Sequence, residues 1–347
     1  MKIGLYNPYF DSLGGGERYV LTLAEHWSKT HDVSIFWDDE SVISQAQKRF
    51  DVDLTFVHVV PNIFHSHNLI RKLFITRGYD CIFFLSDGSI PMSLAKRNIL
   101  HFQVPFSHII IPFWKSTMYQ RVVCNSEFTK TYLDSTVSIR RSVIYPPVDI
   151  GKLTPGKKSN TILTVGRFSS LYGAKKQDVL IDSFKKAFEN KEFTDWNFVI
   201  AGGLLESDQD YFNELKKKVS GLPIDFYPNC SWTDLQAFYS IASIYWHAAG
   251  FGESKPENME HFGITTVEAM AAGCIPVVYN GGGQPEIVED AQTGFLWKTP
   301  DELIKKTLSG MYDKKEYSRI ADSAMKRAKE FSKEKFTRSF DLLLSEL

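Results

Sequence analysis

EHFGITTVEAMAAGCIPVVYNGGG, running from Glu260 to Gly283, decides the fold. A carboxylate, Glu260, precedes the small-residue loop His261-Phe262-Gly263-Ile264. The helix that follows carries a second carboxylate, Glu268, and the apolar run Ala269-Met270-Ala271-Ala272. It stops at Gly273, the apolar strand Ile275 to Tyr279 follows, and Gly281-Gly282-Gly283 turns the chain. Loop, helix, strand and glycine turn form half of an α/β ligand site. The open N-terminus of the helix, with unpaired N–H groups and a positive dipole end, suits a diphosphate.

The same alternation runs outward through all 347 residues. Short β-branched or aromatic runs predict strands at Ile3 to Tyr6, Val33 to Trp37, Leu54 to Val60, Cys81 to Leu85, Ile99 to Gln103, Val122 to Cys124 and Ser142 to Tyr145. After a Pro/Gly-rich polar stretch from Pro146 to Lys158, further strands are predicted at Thr161 to Val165, Asn197 to Ala201, Ile224 to Tyr227, Ser243 to Trp246, Ile275 to Tyr279 and Gly294 to Trp297. Amphipathic helices between them indicate parallel sheets. The polar stretch reads as a linker between an N-terminal unit, 1–150, and a second unit, 151–331. Thr299-Pro300-Asp301-Glu302 is a helix start, a capping box with proline at the first helical position. A cleft between two such units is the default ligand site.

Composition narrows the classes. Apolar residues make up 43%, charged residues 23%, and the net charge is -1, so attraction of the whole chain to nucleic acid is not expected. Cys81, Cys124, Cys230 and Cys274 are far apart and read as reduced, buried residues in a reducing compartment. The first residues, MKIGLYNPYF, read as a strand and not as a secretory signal. No apolar run reaches the length that spans a bilayer. The expected location is therefore cytoplasmic.

Four constellations carry chemistry. Leu13-Gly14-Gly15-Gly16-Glu17-Arg18 is a glycine loop opening a helix, and matches neither a dinucleotide fingerprint nor a Walker loop. Gly166-Arg167-Phe168 follows the first strand of the second unit, with Lys175-Lys176 nearby; cations there are placed to hold a leaving diphosphate. Glu260 and Glu268 are either an acid and nucleophile pair or separate contacts to a sugar and a ribose, and Glu286 after the triple glycine is able to face the same pocket. His101 and His247 end apolar strands, one in each unit. His65 and His67 lack a third ligand, Asp38-Asp39-Glu40 reads as a strand-end cap, and the lysine-rich C-terminal helices also carry many acids. No metal site is expected.

These motifs resemble the retaining glycosyltransferases of family 4. The resemblance rests on Gly14 to Gly16, Val123-Cys124-Asn125-Ser126-Glu127-Phe128-Thr129, Tyr145-Pro146-Pro147-Val148-Asp149, Val165-Gly166-Arg167 with Lys175, and the two glutamates with seven residues between them, Glu260 and Glu268. It implies the GT-B architecture of two facing Rossmann-like domains with a central cleft, and a final helix, within 332–347, that packs back on the first domain. It also implies that Arg167, Lys175, Glu260 and His101 are catalytic. Glu268 would hold the ribose, and Phe262, Gly263, Ile264 and Thr265 would lie along the sugar and phosphates. Gly15 and Gly16 would complete the donor site from the first domain. The family often has glycine where this chain has Lys176, so either lysine is a candidate for the diphosphate.

The implied reaction moves a hexose, of mannose or glucose type, from a GDP- or UDP-sugar to a hydroxyl of a glycan or lipid-linked glycan, without a metal or other cofactor. Retention fits a front-face route, which we favour, or double displacement through Glu260. A sugar-nucleotide epimerase, a phosphorylase and a non-catalytic sugar-nucleotide-binding protein are the alternatives. Ile109-Ile110-Ile111-Pro112-Phe113-Trp114-Lys115 mixes apolar and basic residues and is expected to touch a membrane surface or a lipid-linked acceptor.

Overall fold

A computed structural model describes the whole chain except residues 13, 107, 108, 134–138 and 171–173. The chain divides into two compact units, Met1–Pro147 with Lys333–Leu347, and Val148–Ser332.

The first unit is built on seven strands: β1 Lys2–Tyr6, β2 Asp32–Phe36, β3 Val57–Val60, β4 Cys81–Leu85, β5 Arg97–Phe102, β6 Arg121–Cys124 and β7 Arg141–Val143. They pair in the order β3-β2-β1-β4-β5-β6-β7, all parallel. A parallel sheet is covered on both faces, so its central strands have no polar side. β4 reads CIFFL and is buried throughout. Its alternate residues enter two cores: Phe83 and Leu85 join Ile3, Leu5 and Tyr19, while Ile82 and Phe84 join Tyr6, Phe36 and Leu100.

The first core is closed by the last helix of the chain, Lys333–Glu346, which inserts Phe336, Phe340, Leu343 and Leu344. Phe340 stands edge-on to Tyr19 (5.9 Å) and Trp27 (5.7 Å). Polar pairs pin the same helix: Arg121 to Glu346 (2.9 Å), His26 to Asp341 (2.9 Å), and Lys333 to Glu25.

The second unit holds β8 Ser159–Val165, β9 Asn197–Gly202, β10 Ile224–Pro228, β11 Ala242–His247, β12 Ile275–Tyr279 and β13 Phe295–Trp297, again all parallel, in the order β10-β9-β8-β11-β12-β13. Trp246, Phe184 and Phe198 lie at the centre of its core. Each sheet reverses its winding once, between β1 and β4 and between β8 and β11. The carboxyl ends of those strands are where an open α/β sheet leaves a crevice for a ligand.

Two local expectations change. The stretch read as a loose linker is docked on the second unit. Gly156 donates to the Ser240 carbonyl (3.1 Å), and the Lys158 ammonium donates to the carbonyls of Ala272 (2.6 Å) and Tyr239 (3.2 Å). The Thr299 cap does accept from Glu302 N–H (3.2 Å), but the Glu302 carboxylate reaches back one residue further, to Lys298 N–H (2.7 Å).

Phe340 is fully buried and Leu342, two residues on, is 59% exposed, so the pair isolates the contribution of helix docking. Phe340→Ala should lower unfolding free energy by about 3–5 kcal/mol, and Leu342→Ala by about 0.5 kcal/mol or less. Urea titration followed by circular dichroism measures both.

Candidate active site

The sequence motifs of the second unit converge at the carboxyl ends of β8, β11 and β12. Arg167 follows β8, His247 ends β11, and the triple glycine follows β12. At their centre is the Glu260 carboxylate. Its Oε2 accepts from Lys175 Nζ at 2.6 Å and from His247 Nε2 at 3.0 Å. The side chain is 16% exposed. Burial pushes its pKa up, but the Lys175 charge and the His247 hydrogen bond outweigh that and hold it well below the usual glutamate range. Burial in turn lowers the His247 pKa and so keeps the ring neutral, with its proton on Nε2 facing Glu260. His247 Nδ1 is buried without a partner among the described residues.

Glycine lets these groups meet. A Cβ on Gly166 would fall 2.6 Å from Lys175 Cγ, so the lysine stem crosses the β8 turn only because Gly166 has no side chain. The triple glycine works likewise on the backbone. Gly282, at φ +61, would put a Cβ 2.1 Å from the Glu260 carbonyl, and Gly283 N–H donates to that carbonyl at 2.8 Å. This turn therefore clamps the main chain of Glu260 and His261.

The two lysines have different tasks. Lys175 reaches Glu260, whereas Lys176 pairs with Glu253 at 2.6 Å, and Asn258 braces Glu253 at 3.0 Å. Lys176 also sits at φ 55, ψ 41, the left-handed region, at the N-cap of helix Gln177–Glu189. Glycine takes this conformation without cost, while a side chain there is strained by about 1 kcal/mol. The glycine of the related pattern would be free of that strain at this position. Arg167 is exposed, and its side chain has no acidic partner among the described residues.

Helix Ile264–Ala271 begins at Gly263, at φ 120, and no side chain caps it. Thr266 N–H turns back onto the Gly263 carbonyl (3.0 Å), and the positive dipole end lies at Ile264 and Thr265. Glu268 is buried one turn in and accepts from Tyr239 Oη at 3.0 Å. The Thr265 hydroxyl accepts from Tyr245 Oη at 2.7 Å. Phe262 is buried against Phe331, with ring centroids 5.4 Å apart, so its ring belongs to the core. Glu260 and Glu268 thus hang on different partners and do not form a facing pair. The backbone carbonyl of Glu286 accepts from Arg327 (2.8 Å).

In the first unit, Gly15 and Gly16 open helix Gly15–Trp27, and Leu13 lies outside the described residues. Glu17 organises the loop by accepting from Gly14 N–H (2.7 Å), Ser12 Oγ (2.8 Å) and Asn7 Nδ2 (3.0 Å). Gly16 lies against Gln103, whose Oε1 would be 2.8 Å from an added Cβ. His101 is completely buried, stacks on Tyr19 at 4.1 Å and bonds the Val123 carbonyl through Nδ1 (3.0 Å). Burial brings its pKa down to about 3, so the ring is neutral and Nε2 is a bare acceptor.

Sequence reading passed over Tyr239, Tyr245 and Glu253 as site members. His247 had a signal, its place at a strand end, but nothing in the local sequence ties it to Glu260. The tyrosines read as core aromatics. Cys81, Cys124 and Cys274 are buried and all four cysteines are free. Among the described residues no cluster of metal-ligating side chains occurs, and no helix is long and apolar enough to cross a membrane.

Known proteins resemble this chain in sequence and in fold. A family model described as glycosyl transferases group 1 matches residues 148–327, and one described as glycosyltransferase family 4 matches residues 13–152. A GDP-Man:Man(3)GlcNAc(2)-PP-Dol alpha-1,2-mannosyltransferase of Xenopus laevis is 28% identical over 207 residues, covering 54% of this chain and 40% of that protein. The chain spans about half the length of the curated relatives it matches. Among solved structures, a glycosyltransferase from Rickettsia africae superposes with TM-score 0.76 at 18% identity, covering 99% of this chain and 98% of that one. Anabaena Alr3699/HepE, in complex with UDP and glucose, gives TM-score 0.71 at 21% identity over 100% of both chains. The fold is that of the GT-B glycosyltransferases, with two parallel-sheet α/β units.

Two predictions follow from the geometry around Glu260 and the lysines. Lys176→Gly relieves the left-handed strain while losing the Glu253 pair, so the melting free energy should change by about 1 kcal/mol or less. Gly282→Ala meets backbone and should cost about 2–4 kcal/mol. Thermal melts of both variants measure this. The lowered pKa values of Glu260, His247 and His101 share one sign: the folded state binds protons less readily than the unfolded chain. Their stabilisation is complete above the ordinary histidine value of 6.5 and is lost as pH falls through the histidine and then the carboxylate range. Urea midpoints should therefore fall steadily from pH 7 to 4, and less steeply in His101→Gln.

Proposed function

The chain belongs to the glycosyl transferases group 1, and from that premise we propose that it is a retaining hexosyltransferase. It moves a hexose from a nucleoside diphosphate sugar to a hydroxyl of a glycan or lipid-linked glycan at a cytoplasmic face. The carrying observation is the Lys175–Glu260–His247 cluster, with Arg167, which has no acidic partner among the described residues, at the strand ends where the sheet reverses.

Departure of a nucleoside diphosphate places negative charge on the β-phosphate. Glu260 fixes the Lys175 ammonium before the reaction, and Arg167 and the start of helix Ile264–Ala271 stand at the same strand ends to meet that charge as it develops. In this reading protein groups, and not a metal ion, neutralise the leaving group. Glu260 has two jobs: it holds Lys175 in place and accepts hydrogen bonds from the donor sugar. Its tight pairing makes it a weak nucleophile, which favours the front-face route, with the leaving phosphate taking the acceptor's proton. Glu268, set by Tyr239, holds the ribose hydroxyls. His101 Nε2 is an acceptor held in place by Val123 and Tyr19, and we assign it a positioning role from the first unit together with Gly15 and Gly16.

For the donor we favour GDP-mannose, on the names of the mannosyltransferase relatives. A thermal-shift screen of GDP-, UDP- and ADP-sugars should give its largest rise with GDP-mannose. Transfer assays on the hits should show kcat/KM falling by about 10²–10³-fold in Arg167→Ala and in Lys175→Ala. Wild-type transfer by both variants would refute the site. Turnover of donor without acceptor, or only with free phosphate, would instead mark an epimerase or a phosphorylase.

A further inference from the structure

We propose that one face of the first unit, made by helices Leu69–Thr76 and Phe113–Ser116 with the segment 89–95 between them, docks on an anionic lipid surface. The face is apolar where a soluble unit is usually polar. Ile70 is 83% exposed, Phe74 80%, Ile110 75%, Phe113 80%, Trp114 54% and Leu94 49%. Single exposed apolar residues are ordinary, but a group of six large ones is not.

Hydrogen bonds hold the three segments together as one face. Leu94 N–H donates to Thr76 Oγ1 (3.0 Å), Lys115 Nζ donates to the Ile90 carbonyl (2.9 Å), and Tyr119 Oη donates to the Pro91 carbonyl. Helix Leu69–Thr76 is capped by Asn68, which accepts from Arg71 N–H (2.9 Å), so its exposed residues sit on regular, anchored structure.

Charge selects the occupant. Between Leu54 and Ser126 there are seven lysines and arginines, of which Arg121 is buried and paired with Glu346, against two acids, Asp80 and Asp87, in a chain whose net charge is -1. Asp80 is already paired with Lys96 (2.6 Å). On the face itself, the partners of the Lys72 and Lys115 ammonium groups among the described residues are backbone carbonyls, those of Phe64 (3.3 Å) and Ile90. The two charges feel one another: the Lys72 pKa is lowered, by burial first and then by Lys115. Arg71 is exposed beside them. Apolar side chains that can enter the acyl boundary, flanked by cations at the depth of anionic headgroups, form an interfacial anchor. A protein partner would have to bring both acids and an apolar surface; an anionic bilayer offers the two already layered.

This surface extends the reading of a lipid-linked acceptor, yet its test needs neither donor nor turnover. Flotation is run with vesicles of phosphatidylcholine alone and with about a third phosphatidylglycerol, at about 0.1 M and about 0.5 M salt. The protein should float with the anionic vesicles at low salt, and much less with neutral vesicles or at high salt. Ile70→Ser with Phe74→Ser should weaken partitioning about tenfold or more, and Arg71→Ala about fivefold on anionic vesicles only. All three residues are exposed, and the donor-induced rise in melting temperature should be unchanged in these variants. Wild-type protein that stays at the bottom of the gradient, equal flotation on neutral vesicles, or an Ile70→Ser/Phe74→Ser double variant that floats like wild type would overturn the proposal. So would a dimer in light scattering that this double variant converts to monomer, since a second copy would then be the occupant.

Discussion

A carboxylate held by two partners sets the rest of the second unit. Glu260 is mostly removed from water, which is costly for a charge, and is stable there only because Lys175 and His247 meet the same oxygen. Meeting it requires Gly166 to let the lysine stem pass and Gly282-Gly283 to clamp the Glu260 main chain from the other side. It requires β8 and β11 to be neighbours, which the reversal of strand order supplies. The motifs recognisable in the sequence are largely the conditions for this one ionic contact.

The same contact leaves one cation unspent. Lys175 and Lys176 each have a carboxylate, while Arg167 has none among the described residues. In the proposed reading, Arg167 and the start of helix Ile264–Ala271 are the groups left to meet an anion with several oxygens. In the proposed mechanism the glutamates orient lysine, sugar and ribose. The leaving charge is met by Arg167, Lys175 and the helix end.

Much of this was legible before any coordinates. All thirteen strands follow from their β-branched and aromatic runs, with ends shifted by up to three residues. The largest shift is at β3, which begins at Val57 and not Leu54, because Leu54 is buried in the turn ahead of the strand. Arg167, Lys175, Glu260 and the helix start at Gly263 share one strand-end region of the second unit. What local pattern could not convey is pairing at long range. His247 and Glu260 are thirteen residues apart, and Lys175 and Glu260 are 85 apart; only the sheet order brings them together. Nor could pattern separate Lys175 from Lys176, since the difference lies in a left-handed backbone at Lys176. The glycine turn after β12 read only as a turn, and its packing on the Glu260 and His261 backbone appears with the fold. The apolar face of the first unit was only half visible, because helix Leu69–Thr76 and segment 89–95 join residues 109–115 through tertiary hydrogen bonds.

The central claim is that the site is built to hold a diphosphate charge. Calorimetric titration of GDP and GMP into wild-type protein and Arg167→Ala tests it most directly. The account predicts that GDP binds the wild type more tightly than GMP by at least about tenfold, and that this preference largely disappears in Arg167→Ala, since one charge-assisted contact contributes about 1.5–3 kcal/mol. Equal affinities in the wild type, or a diphosphate preference that survives loss of Arg167 intact, would contradict it.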